Sequence, residues 1–362
     1  MDTPNIYIAA LHSLPGITHA KLKKLVESSK TAQHAWEKLS SKMLTEIGME
    51  HDNIDACLER RSNLSLEKLI DYLTSYQISV VMQNDIGYPS ILLTIPQPPY
   101  LLYIRGTYLD SDMRLPIAFV GTRKATSYGR DSTQRLIQEL AAHQPTIISG
   151  LAYGIDSIAH EAALANSLRT IGVLGGGVDV IYPKDHTHLG TKIIENGCLI
   201  SEFPLGTQPM PFHFPLRNRI ISGLSKGVVI IEAQVKSGSL ITAEVAIDQN
   251  KEVFAVPGDT TRDTSAGTNM LIQKGQAKLT TCGKDILEEF GFSEDQMATR
   301  TAPVFQSALE ERVYQALGPA PKHVDELTQE IPEMVFEISS CLSMLELRGV
   351  VRQREDTRWY LV

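Results

Sequence analysis

Residues 117–130 read IAFVGTRKATSYGR. An unbroken apolar run ends at a glycine, a short polar turn follows, and helical spacing begins near Tyr128. Strand, glycine turn and helix together open a βαβ unit. Downstream the pattern returns as TIISG (146–150), TIGVLG (170–175), CLISE (198–202), VVIIEA (228–233) and VFAVPG (253–258), with helical stretches starting near Ile155, Asp185, Leu216, Leu240 and Thr268. This alternation predicts an α/β fold, a Rossmann-like, doubly wound and mostly parallel sheet.

In such a sheet, ligands bind beyond the carboxyl ends of the strands. The loops there read GTRKAT, SGLAYGID, LGGGVDVIYPK, SEFPLG…FPLRNR, EAQVKSGS and PGDTTRDTSAGT, each with glycine. Glycine lets backbone N–H groups approach a phosphate, and a helix N-terminus such as the one after Ser237-Gly238-Ser239 attracts anions. An anion-binding crevice is the expectation. Within it, FPLRNRIISGLSKG (214–227) reads as a short helix with the apolar stripe Ile220, Ile221 and Leu224 and with Arg217 and Arg219 in its first turn. Each cation there should cost about 0.3–1 kcal/mol against the helix dipole unless an anion faces it.

A dinucleotide cofactor fits poorly. No GxGxxG occurs: Arg123 and Lys124 stand where the pyrophosphate would lie, and in LGGGVDVIYP Val180 replaces the third glycine before Pro183. No cofactor is expected. Asp156 and His160 lie four apart on one helix face, a spacing that suits an acid–base pair or two metal ligands, but no third ligand accompanies them. The plainer account is an Asp near a helix start and a hydrogen-bonded histidine one turn on. Neither GxSxG nor a Walker motif is present, so no catalytic step is visible.

The 362 residues are 43% apolar, enough for two or three domains, and the formal net charge is −8. That sign argues against holding nucleic acid through bulk charge, so an anion site must be local. Residues 121–130 and 212–227 together hold six Lys/Arg and no carboxylate. Cys57, Cys198, Cys282 and Cys341 are scattered, which suggests neither a zinc site nor a disulfide framework. With no signal-peptide pattern and no membrane-length apolar run, a cytoplasmic protein without membrane contact is expected.

Residues 1–79 read as a small helical domain, broken at Pro15-Gly16 and near Gly48. LPGITHAKLKKLV is similar to half of a helix-hairpin-helix module, with Thr18 where the second glycine belongs; phosphate contact and plain packing are both open. Residues 80–292 form the expected Rossmann-like domain, entered through a segment with four prolines within eleven residues that should give an edge strand or lead-in. Residues 293–305 read as a linker, and 306–362 as helix, helix, helix and two strands, the order of a winged helix. Residues 291–362 carry seven basic against twelve acidic residues, with Arg348, Arg352, Arg354 and Arg358 gathered near the wing. Duplex DNA and a regulatory protein are both candidate partners of that domain.

The motifs VGTR, SGLAYGIDSIAH, YPK, LISEFP, FPLRNRIISGLS, SGSLITAEVA and VFAVPG, in this order between about Gly87 and Phe290, closely resemble the DNA-processing protein A (Smf) family. The resemblance implies an extended Rossmann-like core that binds single-stranded DNA, forms a homodimer, and loads RecA recombinase onto incoming strands during natural transformation, without catalysis. It also implies a DNA pocket made by Arg123, Lys184, Arg217, Asn218 and Arg219. Gly121, Thr122, Lys124, Gly150, Phe214, Ser237 and Gly238, from the same loops, complete the candidate set. Tyr128, Tyr182, Phe212 and Phe214 lie beside these cations as candidate stacking platforms or core residues. SGSLITAE, with Thr242 and Glu244, faintly resembles a loop of Rossmann-type nucleotide phosphoribohydrolases, although its spacing departs and the paired glycines are lost.

Overall fold

The computed structural model describes residues 4–292, 305, 307–317, 322–348, 350–353 and 357–361. Most of the expected linker, residues 293–304, and Arg354 of the wing lie outside the described residues. The chain separates into two compact units, Met1–Leu287 and Glu288–Val362.

The first unit opens with six helices: α1 (Pro4–His12), α2 (His19–Ser29), α3 (Ala32–Glu37), α4 (Ser41–Glu46), α5 (His51–Asn63) and α6 (Leu66–Ser75). Thr18, at the position of the missing glycine, caps α2 by accepting from the Lys21 N–H. Leu14, Ile17, Leu22 and Leu25 of that hairpin are buried in an apolar cluster that also holds Ile78, Leu101 and Tyr103 of the sheet. The helices therefore share a core with the sheet. Polar ties cross the same seam: Asn5 Nδ2 donates to the Val80 carbonyl at 2.7 Å, and His12 Nδ1 lies 3.0 Å from the Tyr103 hydroxyl.

The sheet has nine strands: β1 (Ile78–Met82), β2 (Leu101–Gly106), β3 (Pro116–Val120), β4 (Thr146–Ser149), β5 (Thr170–Val173), β6 (Gly197–Ser201), β7 (Gly227–Ile230), β8 (Glu252–Ala255) and β9 (Lys278–Leu279). Their spatial order is β1-β2-β6-β5-β4-β3-β7-β8-β9. From β6 to β9 all pairs are parallel, whereas β1 and β2 join antiparallel. Strands β3 to β7 are buried along their whole length, which is why they read as unbroken apolar runs. The six strands read from the sequence are β3 to β8.

The proline-rich segment turned out differently from the expectation. β1 is an edge strand, but LLYIRG forms β2, an interior strand between β1 and β6. All four prolines stand before Leu101, in the connection, so none has to supply a ladder N–H.

Crossover helices are α7 (Ser127–Leu140), α8 (Ile155–Ala165), α9 (Thr187–Asn196), α10 (His213–Gly223), α11 (Gly238–Asp248) and α12 (Asp263–Gln273), followed by α13 (Gly283–Glu289). The chain builds outward from β3 to β6 on one side, then returns to place β7 against β3 on the other. That reversal puts a crevice beyond the carboxyl ends of β3 and β7.

The second unit has α14 (Ala308–Leu317), α15 (Val324–Glu330) and α16 (Val335–Leu347), then the antiparallel pair β10 (Val351–Gln353) and β11 (Trp359–Leu361). Val313, Leu327, Ile338, Leu342, Leu345 and Trp359 form its own core. This is a winged helix.

Candidate nucleic-acid interface

A crevice of about 600 Å³ lies at the strand-order reversal. Gly121, Thr122 and Arg123 reach it from the end of β3, Phe214, Arg217 and Asn218 from α10, and Ser237 and Gly238 from the start of α11. Eight residues of the candidate set thus gather in one place. Gly150 lines a smaller slot of about 90 Å³ that shares Arg123, Tyr182, Pro209 and Phe214 with the crevice. Lys124 and Lys184 are exposed, and neither they nor Arg219 line either cavity.

Phe214 is the hub. Its ring lies 6.3 Å from that of Tyr182, with the Arg123 guanidinium 5.2 Å and the Arg217 guanidinium 5.9 Å from its centroid. Arg123 is exposed and its guanidinium faces an aromatic ring, which leaves its donors open to a further partner.

Arg217 is placed differently from the expectation. Helix α10 starts at His213, so Arg217 is its fifth residue and Arg219 its seventh, beyond the first turn. The helix also stops at Gly223, and Leu224 caps it rather than extending the stripe. Arg217 is 4% exposed and turns under α10, where Nη1 donates to the carbonyls of Gly150, at 2.6 Å, and of Val173. Burial pulls its pKa from 12.5 down to about 10, with Asp156 opposing that shift and Arg123 adding to it. The dipole cost expected for Arg217 is replaced by hydrogen bonds to two strand-end carbonyls. Arg219 donates to the Gln97 carbonyl at 2.7 Å and pairs with the buried carboxylate of Glu202.

Gly150 also has a different physical reason from close phosphate approach. A Cβ there would collide with the Arg217 guanidinium, so the missing side chain makes room for an arginine of the same protein. Gly238 has no heavy atom within 4 Å of a would-be Cβ and opens onto the crevice.

The helix N-termini at the crevice are not equivalent. At α8, the buried Asp156 carboxylate accepts from the Gly150 and Ala152 N–H groups at 3.2 and 3.4 Å. Burial pushes its pKa up, while Arg217 and those N–H groups pull it back. At α7, the buried Glu232 carboxylate accepts from Thr126 N–H and Oγ1 at 3.0 and 2.6 Å. Both ends already face an anion supplied by the chain. Helix α11 has no acidic residue in its first turn, and Ser237 caps it by accepting from Ser239 N–H. Its positive end borders the crevice, and among the described residues no carboxylate is hydrogen-bonded to it.

Asp156 and His160 find separate partners: His160 Nδ1 lies 2.7 Å from Thr170 Oγ1, and burial lowers its pKa to about 3. The plainer account of the pair therefore describes the geometry. Thr242 lines the crevice and Glu244 does not, so the two residues of the hydrolase-like loop do not converge there.

The sequence reading missed Pro209 and Pro211 as lining residues, and Glu202 and Glu232 as internal anions. For the prolines the signal was the stiff QPMPF segment before α10; for the carboxylates it was their place directly after LIS and VII at the strand ends.

Residues 79–291 match the family model described as DNA recombination-mediator protein A, and residues 294–356 match that of the DprA winged helix domain. The chain is 46% identical over 205 residues to the DNA processing protein DprA of Streptococcus pneumoniae, covering 57% of this chain and 72% of that one. With the protein Smf of Escherichia coli the identity is 36% over 293 residues, covering 79% and 78%. The X-ray structure of DprA from Streptococcus pneumoniae superposes with a TM-score of 0.66 at 36% identity, over 80% of this chain and 99% of that one. DprA from Helicobacter pylori, in a structure described as giving insights into a unique single-stranded DNA binding mode, gives a TM-score of 0.53 at 32% identity, over 59% and 96%.

Proposed function

The chain belongs to the DNA recombination-mediator protein A family, and on that premise we propose that its central crevice holds single-stranded DNA. The observation that carries the reading is the α11 N-terminus, uncapped by any carboxylate, opening with Arg123 and Phe214 into one crevice. Such a site offers what a single strand needs: backbone N–H groups and a guanidinium for phosphate, and an aromatic face for a base. Gly121, Thr122, Asn218, Ser237 and Gly238 line the path, and Lys124 and Lys184 extend the positive charge outside it. Arg217 and Arg219 act from behind, Arg217 by holding the ends of β4 and β5 against α10, and Arg219 by tying α10 to Glu202.

The biological act we infer is delivery of the bound strand to RecA, by a homodimer, in the cytoplasm during processing of incoming DNA. Among the described residues no helix is long and apolar enough to cross a membrane. Gel shifts with single- and double-stranded oligonucleotides of equal length over a salt series test the core of this reading. A single-strand preference with a linear log–log salt dependence is expected; equal affinity for duplex, or no salt dependence, would sink it. The dimer is tested by sedimentation at micromolar concentration, where a species near 40.0 kDa alone would contradict it.

A further inference from the structure

We propose that the winged helix is a protein-docking module, whose third helix receives an amphipathic helix of a partner protein with an apolar stripe flanked by Lys or Arg. The inference does not depend on the DNA reading of the central crevice. In helix-turn-helix folds the second helix of the motif enters the major groove and brings cations to phosphate and base edges. Here that helix is α16, and it contains no Lys or Arg from Val335 to Leu347. The unit's four described cationic side chains are already in ion pairs: Arg312 with Glu333, Lys322 with Glu330, Arg348 with Glu310, and Arg358 with Glu326. They are poorly placed to release counterions from a duplex.

The solvent face of α16 offers apolar surface instead. Ile338, Leu342 and Leu345 point into the core, so the opposite face carries Phe336, Ser340, Ser343 and Met344. Phe336 is 77% and Met344 48% exposed. They stand two turns apart, about 12 Å along the helix, with the two exposed serines between them. Two large apolar side chains separated by a low saddle let another helix cross close to the backbone. Met334 and Val335, also exposed, extend the patch around the start of α16.

Charge selects the occupant. Glu337 and Glu346 flank the patch and both are exposed. A second copy pairing through this face would bring carboxylates against carboxylates, whereas a partner with basic flanks would be attracted.

The test uses the full chain carrying a photo-crosslinking residue in place of Ser343, a position that leaves Phe336 and Met344 intact, irradiated in the cells that express it. The expected adduct is to one other protein, through a peptide whose apolar residues are flanked by Lys or Arg. That protein, purified, should bind the full chain, and Phe336→Asp and Met344→Lys should each weaken binding at least tenfold while leaving single-strand affinity and melting temperature unchanged. Crosslinking to DNA, crosslinking to the chain's own copies, absence of any adduct, an acidic partner peptide, or binding indifferent to both substitutions would each overturn the proposal.

Discussion

Replacing Arg217 with alanine separates a cation that serves the fold from one that waits for a ligand. The side chain is 4% exposed, donates to two strand-end carbonyls and stands beside the buried Asp156. Hydrogen bonds from a charged donor are each worth about 1.5–3 kcal/mol. Losing the two bonds to the Gly150 and Val173 carbonyls is therefore expected to cost about 3–6 kcal/mol. Relief of the helix dipole offsets little, because the effect fades within the first turn and Arg217 lies beyond it.

For a unit of this size a kilocalorie shifts the melting temperature by roughly 2–4 °C, and the largest domains sit at the low end. Arg217→Ala should therefore melt about 6–12 °C lower, without DNA present. Thermal denaturation followed by far-ultraviolet circular dichroism reads this directly. Arg217→Lys should recover less than half of the loss, because an ammonium lacks the planar fork that reaches both carbonyls. In a double-mutant cycle, Asp156→Asn should soften the Arg217→Ala defect by about 1–3 kcal/mol, since the stranded charge is then gone. If Arg217→Ala melts within about 1 °C of the parent while single-strand affinity falls, the guanidinium faces the strand and the reasoning fails.

Gly150→Ala should destabilise the protein much as Arg217→Ala does, because its Cβ takes the guanidinium's place, whereas Gly238→Ala should keep or raise the melting temperature and weaken single-strand binding where a phosphate meets the backbone. Melting curves and gel shifts on the two variants check this, and equal stability of both would contradict it. Arg123→Ala and Lys184→Ala, both at exposed positions, should each lower the single-strand salt slope by roughly 0.7 with melting unchanged; an unaltered slope would remove that residue from the phosphate track. Acid should also weaken the fold through its buried neutral histidines. Burial holds His12, His19 and His160 below their ordinary 6.5, so the unfolded chain binds protons that the folded chain refuses. Their contribution is complete above pH 6.5 and declines as pH falls below it, toward the folded His160 value of about 3. His12→Asn should flatten that decline in denaturant titrations at pH 7 and pH 5, and an unchanged pH dependence would show that His12 carries none of it.

What could be read from the sequence, and what could not, divides along a physical line. The six central strands were legible because parallel strands buried on both faces must be apolar throughout, and helix α8 was legible because its period and its start at Ile155 are local. The start of α12 at Asp263 was read near Thr268, since the first turn of that helix holds Asp263, Thr264 and Ser265 and no large apolar residue to reveal the period. Pairing of charges was not legible at all. The acid-free windows 121–130 and 212–227 suggested cations without partners, yet Glu202 answers Arg219 from beyond one strand, and Glu232 claims the start of α7 from beyond another. A parallel sheet brings every strand's carboxyl end to one level, so a carboxylate directly after an apolar run lies at the same end of the sheet as the cations, however far it stands from them in sequence. Counted that way, LISE and VIIE announce two internal anions, and Asp156 in the first turn of α8 adds a third. Those three carboxylates occupy Arg219 and the starts of α7 and α8, and it is on this subtraction that we propose Arg123 and the α11 N-terminus as the place for an external phosphate.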